Sequence, residues 1–132
     1  MTEPPMFAAA SKPGKVQTVA VLTLISGLTN ILWPIILYTI TSLATVFVGC
    51  LFLPFFLPPM VLGIFEIIYA AKILPDPIKP VKPSQTIAIL EIISLLTGNL
   101  VSAAAGIVAI VLYSDPEVKT FFEHTEQKSE IG

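Results

Sequence analysis

The sharpest chemical signal in the chain is a pair of glutamates. Glu66 sits in MVLGIFEIIYAAKIL and Glu91 in SQTIAILEIISLLTGNLVSAAAGIVAIVLY, each the sole acid of a long apolar stretch. Ionisable side chains in such stretches are expensive and are treated first as functional-site hypotheses. Glu66 lies nine residues before Pro75 and Glu91 seven after Ser84, so a hairpin through the intervening PDPIKPVKPS would bring both carboxyls to similar depth. Two carboxyls facing each other in a low dielectric would share a proton or bind a cation. The plainer alternative is a pair of neutral acids that fix helix register, with Tyr69 or Ser94 as hydrogen-bond partners.

Two amides stand beside them. Asn30 and Asn99 occupy mid-stretch positions, and an asparagine in hydrocarbon seeks a partner; interhelical amide pairs are usually glue, worth about 0.6 to 2 kcal/mol. A role in holding a substrate is the second reading. A third pattern is the ladder Ser94, Gly98, Ser102 and Gly106, small residues at unbroken four-residue spacing. On one continuous helix these line a face on which a second backbone can pack closely.

Other chemistry lacks its residues. No catalytic constellation or cofactor motif is readable, since His-Glu-x-x-His, Gly-x-Ser-x-Gly and Walker-type loops are missing. His124 stands alone in the tail and Cys50 is the sole cysteine, so no metal site is expected. No basic patch with interleaved aromatics suggests nucleic acid. The reading is therefore not an enzyme.

The elements that must position these residues follow from charge distribution. Of 132 residues, 55% are hydrophobic and only 12% charged, with no charge in the fifty positions between Lys15 and Glu66. About 20 apolar residues suffice to cross a bilayer. The partner expected first is thus the lipid bilayer, probed by a multi-pass protein of the cell membrane. Residues 1–15, with Pro4, Pro5, Pro13, Lys12 and Lys15, form a flexible basic flank. Three spans are expected, at about 16–44, 46–74 and 84–113, with the first turn in TITSLAT. Pro54, Pro58 and Pro59 should bend or unwind the first half of the second span. On the first, Thr23, Ser26, Asn30, Pro34 and Thr41 share one polar stripe, and on the second Gly63, Glu66, Tyr69 and Ala70 share a face.

The loop 75–83, with prolines at 75, 77, 80 and 83, cannot be helical and reads as a stiff connector. Ser114-Asp115-Pro116-Glu117 is a helix start. The acidic tail 114–132 should therefore begin as a short amphipathic helix, with Val118, Phe121 and Phe122 on its apolar face and fraying beyond Glu126.

Residues 17–29 (QTVAVLTLISGLT) and 85–97 (QTIAILEIISLLT) share eight of thirteen positions. As a duplication, both segments would enter the membrane from the same side. By the positive-inside rule the N-terminus and the 75–83 loop are cytoplasmic and the tail lies outside. A rival topology breaks the third span at Thr97-Gly98-Asn99, gives four crossings and returns the tail to the cytoplasm, but each half would be about 21 Å long against a hydrocarbon core of about 30 Å.

The fold class expected is thus an all-α integral membrane protein, a bundle of three long (alternatively four) transmembrane helices plus a short amphipathic C-terminal helix. Its expected work is structural, as an accessory or self-associating subunit acting through helix packing, either as a homo-oligomer or within a larger membrane complex. The alternative is a small proton- or cation-coupled transporter or channel that uses Glu66 and Glu91.

Overall fold

A computed structural model describes residues 11–45 and 48–131, with the side chains of 48–50, Cys50 among them, outside the description, as are residues 1–10 of the basic flank. The described residues form helices alone: α1 (Gly14–Ala44), α2 (Val48–Ile73), α3 (Gln85–Ile93), a single 3-10 turn (Ser94–Thr97), α4 (Leu100–Tyr113) and α5 (Pro116–Ile131). Two of them, α1 and α2, are long and apolar enough to cross a membrane.

α1 and α2 form an antiparallel hairpin held closely at one crossing. Gly27 and Gly63 are opposed there, and a Cβ on Gly63 would stand 2.6 Å from the Gly27 carbonyl oxygen and 2.9 Å from Ile31. Only hydrogen fits at both positions. Towards the far end Tyr38 stacks edge-on against Phe56, with ring centroids 5.9 Å apart. The prolines at 54, 58 and 59 are carried inside a continuous α2, so of the expected bend or unwinding the helix is not unwound. α1 likewise runs through TITSLA to Ala44 before Thr45 turns extended.

The segment 84–113 departs most from expectation. It is not one helix: α3 tightens into the 3-10 turn, Gly98 takes the left-handed conformation at φ 77°, and α4 starts afresh at Leu100. A left-handed residue stops an α-helix, and glycine adopts it without a Cβ penalty. Asn99 caps the new helix, its side-chain oxygen accepting from the Ser102 N–H at 3.1 Å. The break falls where the rival topology placed it, yet the two halves fold back on each other. A Cβ on Gly106 would collide with the Ala88 carbonyl and lie 2.7 Å from the Glu91 Cβ. Two short helices that return to their starting level need not span, and so the length objection does not apply to them.

The fold-back also puts the start of the tail at the end of the bundle where α1 begins, the arrangement that the rival topology implies. Lys15 at the start of α1 pairs with Asp115 after α4 at 2.7 Å and with Glu117 at 3.1 Å. Lys12 caps the C-terminal carbonyls of α2, donating to Leu74 at 2.6 Å and Ile73 at 3.2 Å, where the helix dipole favours a cation. Lys82 of the loop pairs with Glu126 of α5 at 2.7 Å. The start of α1, the proline loop and α5 therefore share one end, and α1 and α3 both begin there, as the sequence echo expects. α5 begins at Pro116, buries Val118 and Phe122 against Tyr113 and remains helical to Ile131, past the expected fraying point.

Single cysteines at positions 80 and 115 of a Cys50→Ala chain are expected to react with an impermeant maleimide from the same face of a reconstituted vesicle. Labelling from opposite faces would contradict the fold-back.

Candidate functional site

The polar stripe of α1 points into the bundle. Thr23, Ser26, Asn30 and Pro34 are all buried, whereas Thr41 is half-buried and bonds back to Leu37 and Tyr38 of its own helix. Opposite them stand Glu66 on α2, Glu91 and Ser94 from the α3 side, and Asn99 and Ser102 at the start of α4. Four segments that are distant in sequence thus give one enclosed polar layer. The sequence stripe names its α1 wall, whereas the spacing of Ser102 points only to a packing face.

Glu66 has no exposed surface and is surrounded by donors. The Asn30 amide nitrogen lies 3.0 and 2.9 Å from its two carboxyl oxygens, and the Ser26 hydroxyl donates to Oε1 at 2.9 Å. The same Asn30 nitrogen lies 2.9 Å from the Ser102 hydroxyl, so its two hydrogens serve Glu66 and Ser102 together. Ser26 and Ser102 oxygens are 2.8 Å apart. Since Ser26 has one hydrogen and gives it to Glu66, Ser102 can give its own to Ser26. Asn99 completes the set by donating to the Asn30 carbonyl oxygen at 2.7 Å. The two mid-stretch asparagines are in direct contact.

Glu91 is equally enclosed and quite differently treated. It too has no exposed surface, and neither carboxyl oxygen has a hydrogen-bond partner. Glu66 and Ser26 are the polar groups beside it. Ser94, offered as a partner, instead donates to the Glu91 backbone carbonyl. Tyr69 is also engaged elsewhere: it donates to the Lys82 carbonyl at 3.0 Å and accepts from the Ser84 N–H and the Tyr113 hydroxyl, both at 3.0 Å. The neutral register pair with partners on Tyr69 and Ser94 is therefore not the arrangement found.

The small-residue ladder divides between two duties. Ser94, Ser102 and Gly106 are buried inside the chain, while Gly98 forms the exposed turn and belongs to no packing face. The expectation of one continuous face fails because the helix phase is lost at Gly98. Sequence reading also missed Trp33, whose indole N–H donates to the Thr97 carbonyl at 3.1 Å and pins the turn against α1. The signal the sequence offers is an indole in mid-stretch, far from either end of an apolar run, whose N–H needs a partner.

Among the described residues no group of three His, Cys, Asp or Glu side chains is placed to hold a metal ion. Outside the apolar helices, the charged pairs act as latches on α5. The Lys15 ammonium holds the Asp115 carboxyl below the usual aspartate value of 3.8, and the Glu126 carboxylate holds Lys82 above the usual 10.5. No family model matches the chain, nor does any curated protein or solved structure.

Removing the Asn30 amide leaves Ser26 as the one remaining hydroxyl or amide donor to Glu66. Asn30→Ala is expected to destabilise the fold by about 1–3 kcal/mol, the usual penalty for a buried polar group left short of partners. Thr18→Ala, which removes only an exposed bond to Gly14 of the same helix, should stay within about 0.5 kcal/mol of the parent. Denaturant unfolding in detergent compares them; equal losses would deny Asn30 its central place.

The latches also set a pH window. A depressed carboxyl contributes docking strength that is present above its ordinary value and lost as pH falls through the lowered one. A raised amine contributes below its ordinary value and loses it as pH rises through the raised one. A spin label at Gln127→Cys in the Cys50→Ala chain should therefore stay immobilised between about pH 4 and 10 and loosen on either side. Mobility that is flat across that range and beyond it would show that Val118 and Phe122 alone dock α5.

Proposed function

We propose that this is a small multi-pass membrane protein in which Glu66 and Glu91 form a proton site, and that it couples or conducts protons across the bilayer. One observation carries the reading: two fully enclosed carboxyls share a polar layer, and the oxygens of Glu91 accept no hydrogen bond of normal geometry, with Glu66 and Ser26 as the polar groups beside them. Burying an ionised carboxylate without partners is prohibitively costly, so a group in that position is neutral or finds a counter-charge. Glu66, with Ser26 and Asn30 donating to it, is suited to carry negative charge. Glu91, with none, is suited to carry the proton. The donors aimed at Glu66 favour a proton over a metal cation, because amide and hydroxyl hydrogens occupy the oxygens that a cation would need.

An accessory or self-associating subunit remains the second reading. It is favoured by an open apolar groove of about 820 Å³ between α2 and α3, lined by Pro58, Leu62 and Phe65 on one side and Leu90, Ile93 and Leu96 on the other. The small-residue ladder does not add to it, since Ser94, Ser102 and Gly106 are buried within the chain and Gly98 forms the turn.

Reconstitution into liposomes holding a pH-sensitive dye separates the two. Under an imposed potential the parent is expected to acidify or alkalinise the lumen, and Glu91→Gln and Glu66→Gln to reduce the rate at least about tenfold, a loss of about 1.4 kcal/mol in the barrier. Flux that is absent in the parent, or unaltered in both variants, would discard the proton site in favour of the packing subunit.

A further inference from the structure

The two hairpins reach unequal depths. On α1 the exposed apolar residues run from Val21 through Ile25, Leu28, Leu32, Ile36 and Ile40 to Leu43, which at about 1.5 Å per residue is a belt of about 33 Å. On α2 they run from Leu51 to Ile68, about 26 Å. Both match a hydrocarbon core of about 30 Å. On α3 and its 3-10 turn the exposed apolar residues extend only from Ile89 to Leu96, and on α4 from Leu100 to Val111, about 10 and 16 Å.

The level of the fold-back is fixed by contact. Trp33 bonds Thr97 and Asn30 bonds Asn99, so the Gly98 turn lies about 18 Å along α1 from Val21 and about 15 Å from Leu43. That is the middle of the belt. Its tip is apolar, with Leu95, Leu96 and Leu100 at 50, 88 and 70% exposure. Its backbone is closed on itself, Gly98 N–H donating to Leu95, Asn99 N–H to Ser94 and Leu100 N–H to Gly98. Such a turn can rest in hydrocarbon, because its polar groups are already satisfied.

Charge is divided in the same way. Apart from enclosed Glu66 and Glu91, the described charged residues belong to 11–15, 72–82 and 115–130, all at the end where α1 starts. No charge occurs from Val16 to Phe65, so the far end of the α1–α2 hairpin carries no charged side chain.

From these depths we infer that the protein is a wedge that binds curved membrane, inserting four helices into the leaflet at its charged end and two into the other. The ligand is the lipid bilayer itself, recognised by the unequal spacing of its leaflets. A helix about 10 Å across occupies about 80 Å², so the charged-end leaflet is spread by about 160 Å² more than its partner. An inclusion of that shape is relieved where the wider leaflet lies on the convex face. This inference rests on the membrane reading and not on the proton site.

The test uses the full chain with Cys50→Ala and Lys128→Cys, reconstituted in giant vesicles of neutral phospholipid. An impermeant dye added outside labels only copies whose charged end faces out, and thin tethers are then drawn from the vesicle. The ratio of protein dye to a lipid dye is expected to be at least about twofold higher in the tether than on the vesicle, a bias of about 0.4 kcal/mol. Equal ratios, or depletion from the tether, would overturn the wedge while leaving membrane insertion intact. Release of the protein from the vesicles by alkaline carbonate would overturn both.

Discussion

The carboxamide of Asn30 is the point through which the bundle is joined. Its nitrogen reaches Glu66 of α2 and Ser102 of α4, and its oxygen receives Asn99 at the fold-back. A residue on the longest helix thus fixes the register of both hairpins at once. Apolar contact could not do this alone, since hydrophobic burial is non-directional and many sliding registers of Leu, Ile and Val bury similar area. A buried amide accepts few arrangements, because each unpaired hydrogen or oxygen would cost about 1–3 kcal/mol. The glycine contact of Gly27 with Gly63 depends on this register as well. One turn of slippage would set Ile31 or Ile67 where only hydrogen fits.

The fold-back at Gly98 has a comparable logic. Breaking a helix exposes amides at one end and carbonyls at the other, and an apolar setting offers no water to satisfy them. Here the ends are covered locally by the Asn99 cap, the tightened 3-10 turn and the Trp33 indole. With those groups satisfied, α4 can return beside α3 and place Gly106 on Ala88 and Glu91. The small residues of 84–113 are consequently what allows α3 and α4 to meet, and their regular spacing is a property of two facing helices.

Much of this was legible in the chain. Helical class, the ends of α1 and α2, the buried stripe through Ser26 and Asn30, the inward face of Gly63, Glu66 and Tyr69, and the start of α5 at Pro116 all follow from period and capping chemistry, which are local. The fold-back was not legible by the same means. Four-residue spacing is preserved across Gly98 in sequence, so a helical projection treats Ser94 and Ser102 as neighbours on one face although a left-handed residue separates their helices. The end of the bundle at which the tail begins was not legible either, because nothing local to Lys15 or Asp115 announces that the two meet. Trp33 and Thr97 illustrate the general reason: their bond joins positions 64 apart, and nothing local to either announces it.

The contrast between the two glutamates is where the fold departs from its own habits. Ser26, Ser102, Asn30 and Asn99 of this layer find partners, and Glu66 receives hydrogen bonds at both oxygens. Glu91 lies within the same layer, yet α4 presents Gly106 to it and α1 gives its donors to Glu66. A carboxyl whose task was to fix register would be expected to hold the bonds that make register specific, as Asn30 does. A carboxyl that carries a proton is better served by few fixed donors, because each donor aimed at its oxygens favours the ionised form over the protonated one. Natural folds tend to break local rules at functional positions, and the unpartnered oxygens of Glu91 are the clearest such break among the described residues.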